Sequence, residues 1–203
     1  MRHKDCSRPE YKERITGLQN PTDPLTRLTQ LAKTVSVSLD TQRVFEAVVE
    51  GAIKLLHVSS ARLWVIDSST EDVVLVATAS DPGLPTTSDA VPTRLRKGQG
   101  LVGWVIDQRR LHHAPVGTEE SLLEHAERAN QVRLVSQLTV PLLRGDRTLG
   151  ALVVLTPERR EFSREEQELL KTFARTAALA IDNARLYEEA QEALRAAKMA
   201  DPR

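Results

Sequence analysis

The apolar residues of this chain change their period twice, and that change constrains the fold more than any single motif. Leu25, Leu28, Ala32, Val35 and Leu39 recur at alternating steps of three and four, which gathers them on one narrow stripe of a helix. Asp23 offers an N-cap and Pro24 the first helical position. Asp40 caps a second helix with a wider stripe, Val44, Phe45, Val48, Val49, Ala52, Leu55 and Leu56, the width expected for packing on a sheet. From Ser60 the helical period stops. Ala61–Ile66 and Val73–Ala79 are short β-favouring runs separated by the polar residues 67–72, a hairpin pattern. A second hairpin joins Val132–Leu143 to Thr148–Thr156 through Arg144-Gly145-Asp146-Arg147. Between the hairpins lie a Pro- and Gly-containing loop (80–89), a short strand near Val91–Leu95, a glycine-rich turn, a strand near Leu111–Val116 and a helix capped by Thr118 that runs to about Ala129. After residue 163 the helical period returns.

Strands that arrive in hairpins, with helices at both ends, predict an α+β protein with an antiparallel sheet and helices segregated on its faces. Bulk properties agree and exclude several classes. The chain has 203 residues, enough for one domain with extensions. Its 28 basic and 28 acidic residues cancel, so no electrostatic footprint for nucleic acid or an anionic membrane is present. No apolar run approaches the ~18 residues of a membrane span. The polar residues after Met1 do not form a secretory segment, so the expected location is cytoplasmic. Cys6 is the single cysteine, which excludes an internal disulfide framework and a multi-cysteine zinc site. Residues 1–22, charged and punctuated by Pro9, Gly17 and Pro21, are expected to be a flexible lead-in.

The glycine-rich turn, Lys97-Gly98-Gln99-Gly100-Leu101-Val102-Gly103-Trp104, matches the spacing of dinucleotide-binding and kinase loops, and both readings fail on context. A dinucleotide site needs a buried strand before the first glycine, whereas Thr93-Arg94-Leu95-Arg96-Lys97 is a polar edge. The kinase reading needs metal-binding and catalytic-loop aspartates in their own triplets, which the chain lacks. What remains is a glycine-permitted turn entering a short helix, with Gly98 or Gly100 the candidate for a positive φ.

Three stretches in order carry a family resemblance: that glycine turn, then Ser136-Gln137-Leu138-Thr139-Val140-Pro141-Leu142 running on to Leu149-Gly150-Ala151-Leu152, then Phe162-Ser163 opening a long helix. Over roughly residues 25 to 190 the chain resembles the GAF domain, a small-molecule-sensing module of signalling proteins. The resemblance implies an antiparallel sheet of about six strands, terminal helices on one face, and a ligand pocket on the other. It sets the expected division: a lead-in (1–22); a GAF domain (23–190) with N-terminal helices at 24–57, sheet and pocket at 60–156 and a C-terminal helix from 164; and a helix end or tail (191–203). The pocket roof is then Arg94–Ala129, and the expected ligand contacts are Trp104, His113, Arg133, Ser136 and Thr139.

The resemblance does not fix the ligand, and no cofactor is assigned. Relatives that bind cyclic nucleotides carry an asparagine-lysine pair, a phenylalanine and an acidic pair; here Phe162 matches, Glu166-Gln167 stands where the acidic pair belongs, and Thr156-Pro157 replaces the first pair. Bilin-binding relatives need a thioether cysteine, and Cys6 lies outside the domain. Haem-binding relatives use a histidine before the strand holding Val140-Pro141, where this chain has Ala129-Asn130-Gln131-Val132, with His125 the nearest. His112 and His113 are adjacent on a strand, so only one of them reaches a pocket. Free methionine sulfoxide reductase, the enzyme of the family, runs on several cysteines; with Cys6 alone, catalysis is not expected. Two readings stay open: a sensor whose bound small molecule shifts the terminal helices, and a scaffold that fills its own pocket and only dimerises. In either, a histidine kinase or cyclase output, as in a two-component system, is supplied elsewhere.

Ser163 with Glu166 three residues on forms a capping box. Beyond it Leu170, Phe173, Ala177, Ala180, Ala184, Tyr187, Gln191 and Leu194 hold a seven-residue repeat. Together with the stripe of residues 25–39, this repeat predicts a parallel homodimer with a helical seam at Leu28, Ala32, Val35, Phe173, Ala177, Ala180, Ala184 and Tyr187. The alternative is one long helix packing only within its own subunit.

Overall fold

The computed structural model describes residues 23–80, 92–115 and 136–200. Two helices come first, α1 (Pro24–Ser36) and α2 (Thr41–Leu56). The side chain of Asp23 accepts a hydrogen bond from the Thr26 N–H and that of Asp40 from the Arg43 N–H, so both N-caps form where the sequence offers them. The strands β1 (Ser60–Ile66) and β2 (Val73–Ser80) form the first hairpin. Then come β3 (Arg94–Leu95), the short helix α3 (Gly100–Gln108), β4 (His112–Pro115), the second hairpin β5 (Ser136–Arg144) and β6 (Arg147–Thr156), and the long helix α4 (Arg164–Ala200). The helix expected from Thr118 to Ala129 lies outside the described residues.

The six strands form one antiparallel sheet in the order β3-β2-β1-β6-β5-β4. The outermost pairing, β2 with β3, spans two residue pairs and is anchored by Arg94, whose guanidinium donates to Asp72 at 3.0 Å, Thr70 at 3.2 Å and Asp67 at 3.4 Å in the first hairpin turn. The alternation of side chains along the strands gives the sheet two apolar faces. On one, Ala61, Leu63, Val65, Leu138, Val140, Leu142, Leu152 and Val154 pack beneath α1, α2 and α4. On the other, Trp64, Ala151, Val153 and Leu155 pack beneath α3 with Leu101, Val105 and Ile106. The terminal helices therefore share one face and α3 covers the other.

Burial along the helices corrects the expected seam. Leu28, Val35, Phe173, Ala177, Ala180 and Ala184 are all buried inside one subunit, where they join α1, α2, α4 and the sheet in a single core; Ala32 is half-buried. Only Tyr187 of the predicted set is exposed, at 46%. A heptad of small and apolar residues on a helix that covers both a sheet and two other helices is satisfied by that packing within one subunit. From residue 186 onward α4 has no buried residue; Glu188 still accepts from the Thr41 hydroxyl at 2.9 Å, and the turns that follow continue as an exposed helix.

Candidate functional site

The turn before α3 determines how closely that helix sits on the sheet. Gly98 and Gly100 have φ of +74° and +65°, a conformation that costs side-chain-bearing residues energy. Gly103 then lies against the same turn: a Cβ placed there would stand 2.5 Å from the Gly98 carbonyl carbon. The turn thus folds back under the first turn of α3 and lets Leu101 and Val105 reach the sheet. The helix ends at Arg109, itself at φ +54°, and the chain passes directly into β4.

On the face that α3 covers, strand register aligns a polar row. Arg62 is paired with Val153, Val153 with Thr139, and Thr139 with His112. These four residues belong to four adjacent strands, and Val153 belongs to the cluster under α3, which places all four side chains on that face. Trp104 of α3 stands over the end of the row, its ring edge-on to His112 with centroids 5.4 Å apart, and is 42% exposed. Thr139 is wholly buried, and its Oγ1 has no hydrogen-bond partner among the described residues. Burial pulls the Arg62 guanidinium down to about 10, still far above neutral pH, so Arg62 stays protonated.

Two of the expected contacts are elsewhere. His113 pairs with Leu138, a residue of the helix-side core, and its ring meets Phe162 edge-on at 5.4 Å. Ser136 is buried and accepts from the Arg160 N–H at 2.9 Å, while His113 Nε2 lies 3.3 Å from the Arg160 carbonyl oxygen. Both belong to a clamp centred on Arg160. Its guanidinium donates to the carbonyls of Leu56 and His57 at the end of α2, pairs with Glu166 at the start of α4, and lies 4.9 Å over the Phe162 ring. Thus Trp104 and Thr139 share the α3 face, His113 and Ser136 are turned to the opposite face, and Arg133, with roof residues 116–129, lies outside the described residues. His112 replaces His113 as the histidine of the α3 face. Arg62 went unnoticed, although an arginine between Ala61 and Leu63 in an otherwise apolar strand marks the face opposite theirs.

The other elements named by family motifs have structural uses. Glu166 accepts from the Ser163 N–H at 2.8 Å while Ser163 Oγ accepts from the Glu166 N–H at 3.2 Å, the reciprocal capping box. Gln167 donates to the Phe162 carbonyl at 2.9 Å. The would-be nucleotide motif therefore starts a helix. Among the described residues no three His, Cys, Asp or Glu side chains are grouped to hold a metal ion, and no helix is long and apolar enough to cross a membrane.

Comparison with known proteins agrees with this architecture. The GAF domain family matches residues 38–182, which is most of the chain, and the protein belongs to that family. Among solved structures, the GAF domain of a phosphoenolpyruvate-protein phosphotransferase from Coxiella burnetii superposes with a TM-score of 0.71 at 25% identity, over 84% of this chain and 99% of that one. Free methionine-R-sulfoxide reductase from Neisseria meningitidis, solved with its substrate, gives 0.68 at 16% identity, over 83% and 96%. The blue-light-absorbing PixJ GAF domain of Thermosynechococcus elongatus gives 0.60 at 21% identity, over 76% and 92%. No curated protein matches the chain by sequence. The fold is thus shared by signalling domains and by an enzyme.

Proposed function

We propose that this GAF domain is a regulatory sensor that binds a small polar molecule on the α3 face and passes its state to the terminal helices. The observation that carries the reading is the buried Thr139 hydroxyl, left without a partner beside His112 and Arg62. A buried hydroxyl without a hydrogen bond costs about 1–3 kcal/mol, a cost that a ligand accepting or donating at that point removes. Trp104 offers an aromatic wall at the rim. β5 and β6 connect the two faces: Thr139 faces the ligand while its neighbours Leu138 and Val140 pack beneath α4. A shift of β5 is therefore felt directly by the long helix. Action by binding rather than catalysis is favoured by the single cysteine, Cys6, since thiol cycling of the reductase kind uses more than one. A cytoplasmic location, dimerisation and an output kinase or cyclase belong to the same proposal.

A second reading has its own support. Trp64, Val73, Leu95, Leu101, Val105 and Ile106 fill much of the α3 face with the chain's own side chains, as a ligand-free scaffold would require. Native mass spectrometry of freshly purified protein, with Thr139→Val beside it, separates the two. The sensor reading expects a retained small molecule that the variant loses, while the variant's ligand-free form gains about 1 kcal/mol in urea unfolding because the orphaned hydroxyl is gone. No retained or titratable ligand and an unchanged midpoint would leave the scaffold.

A further inference from the structure

A cleft of about 350 Å³ opens at the sheet edge away from the polar row, lined by Arg109, Arg110, Leu111, Pro141, Leu143, Lys171 and Arg175. Four of these residues are cations, and no acid is among them. Arg109 is engaged by the Gly145 carbonyl at 2.8 Å and Lys171 by Glu168 at 2.7 Å. Arg110 and Arg175 are exposed and make no hydrogen bond or ion pair among the described residues; the nearest influence of Arg175 is its longer-range attraction on Glu168. Like charges converging on one hollow repel each other, and an anion placed between them removes that repulsion. Arg110 and Lys171 are 61 residues apart in sequence, so this is a product of tertiary folding rather than a charged run.

The remaining lining says what kind of anion fits. Leu111, Pro141 and Leu143 are half-buried and give the cleft an apolar wall. Pairing of β4 with β5 begins at His112 and Thr139, so the outer edge of β5 past Thr139 has no strand beside it among the described residues. Pro141 supplies no N–H to that edge and disfavours a peptide strand adding there. The volume is that of a small-molecule site. We infer that this edge cleft binds a small organic anion, its carboxylate or phosphate held by Arg110 and Arg175 and its carbon body laid on Leu111, Pro141 and Leu143. Planar guanidinium groups suit either oxyanion by paired hydrogen bonds. This site is separate from the α3 face and stands whether or not that face takes a ligand.

The test is a titration of the full chain at low salt with phenyl phosphate, benzoate and inorganic phosphate, followed by amide NMR. Saturating shifts at residues 109–111, 143, 171 and 175 are expected with phenyl phosphate or benzoate, the stronger of the two identifying the oxyanion. Inorganic phosphate is expected to bind at least fivefold more weakly, because it has nothing to place on the apolar wall. Arg110→Ala with Arg175→Ala, both at exposed positions, is expected to weaken binding about tenfold or more, and Thr139→Val to leave it unchanged. Equal affinity for inorganic phosphate, shifts confined to the Arg62–Thr139–His112 row, or indifference to the double variant would each overturn the assignment.

Discussion

Gly103 shows how one missing side chain positions a functional face. Alanine there gains about 1 kcal/mol of helix propensity over glycine. Its Cβ would nonetheless stand 2.5 Å from backbone of Gly98, which cannot rotate away, and such overpacking costs typically 1–3 kcal/mol or more. Gly103→Ala is therefore expected to destabilise the protein by about 1–2 kcal/mol, with hydrogen exchange accelerating in 95–108 ahead of β1 and β6; uniform acceleration would show that the turn is not a separate unit. At this scale the sequence was legible in type and ambiguous in phase. A positive φ was expected at Gly98 or Gly100 and is found at both. That His112 and His113 oppose each other follows from strand geometry, but which one faces α3 depends on pairing His112 with Thr139, a tertiary fact. Arg62 hid for a related reason: within one strand its charge looks like an interruption, and only the cross-strand row gives it neighbours.

Among the elements, α4 depends on its first turn. Burial raises the Glu166 carboxyl, but the Ser163 N–H and then the hydrogen bond and charge of Arg160 outweigh it and hold the group below the usual glutamate range. A carboxyl whose folded value is depressed adds stability that is complete above its unfolded pKa of about 4.3 and is lost as pH falls through the folded value. Glu166→Gln is thus expected to cost about 1–2 kcal/mol at pH 7 and progressively less below pH ~4, read from urea midpoints across pH. A difference that persists undiminished at pH 3 would assign the loss to packing instead. The capping box and both aspartate caps were legible because they are local, set by residues three apart. The clamp that ties Arg160 to the end of α2 was not, since Leu56 and His57 lie more than a hundred residues away.

For the whole molecule, the consequential correction concerns α4. A seven-residue repeat of alanine and larger apolar residues describes a coiled-coil seam and a sheet-covering helix equally well, and burial assigns it to the second. If the protein dimerises, as we propose, the outer stripe is what remains: Leu179 and Leu186, 40% and 56% exposed, with exposed Ala190, Ala193 and Ala197 continuing the line. Leu186→Asp is expected to halve the mass seen by light scattering at micromolar concentration without lowering the melting temperature. Ala184→Arg, by contrast, forces a charge into a fully buried position and is expected to destabilise the subunit itself by about 3 kcal/mol or more. A wild type already monomeric, or a Leu186→Asp mass equal to wild type, would remove the stripe from consideration. The exposed end of α4 also has a geometric meaning. Over its 37 residues the helix is about 55 Å long, and each residue advances any attached group by about 1.5 Å while turning it by about 100°. Whatever is fused after Ala200 therefore receives an azimuth as well as a distance: deleting one residue from the free portion swings it to another side, whereas deleting seven restores its bearing to within about 20° and only draws it closer.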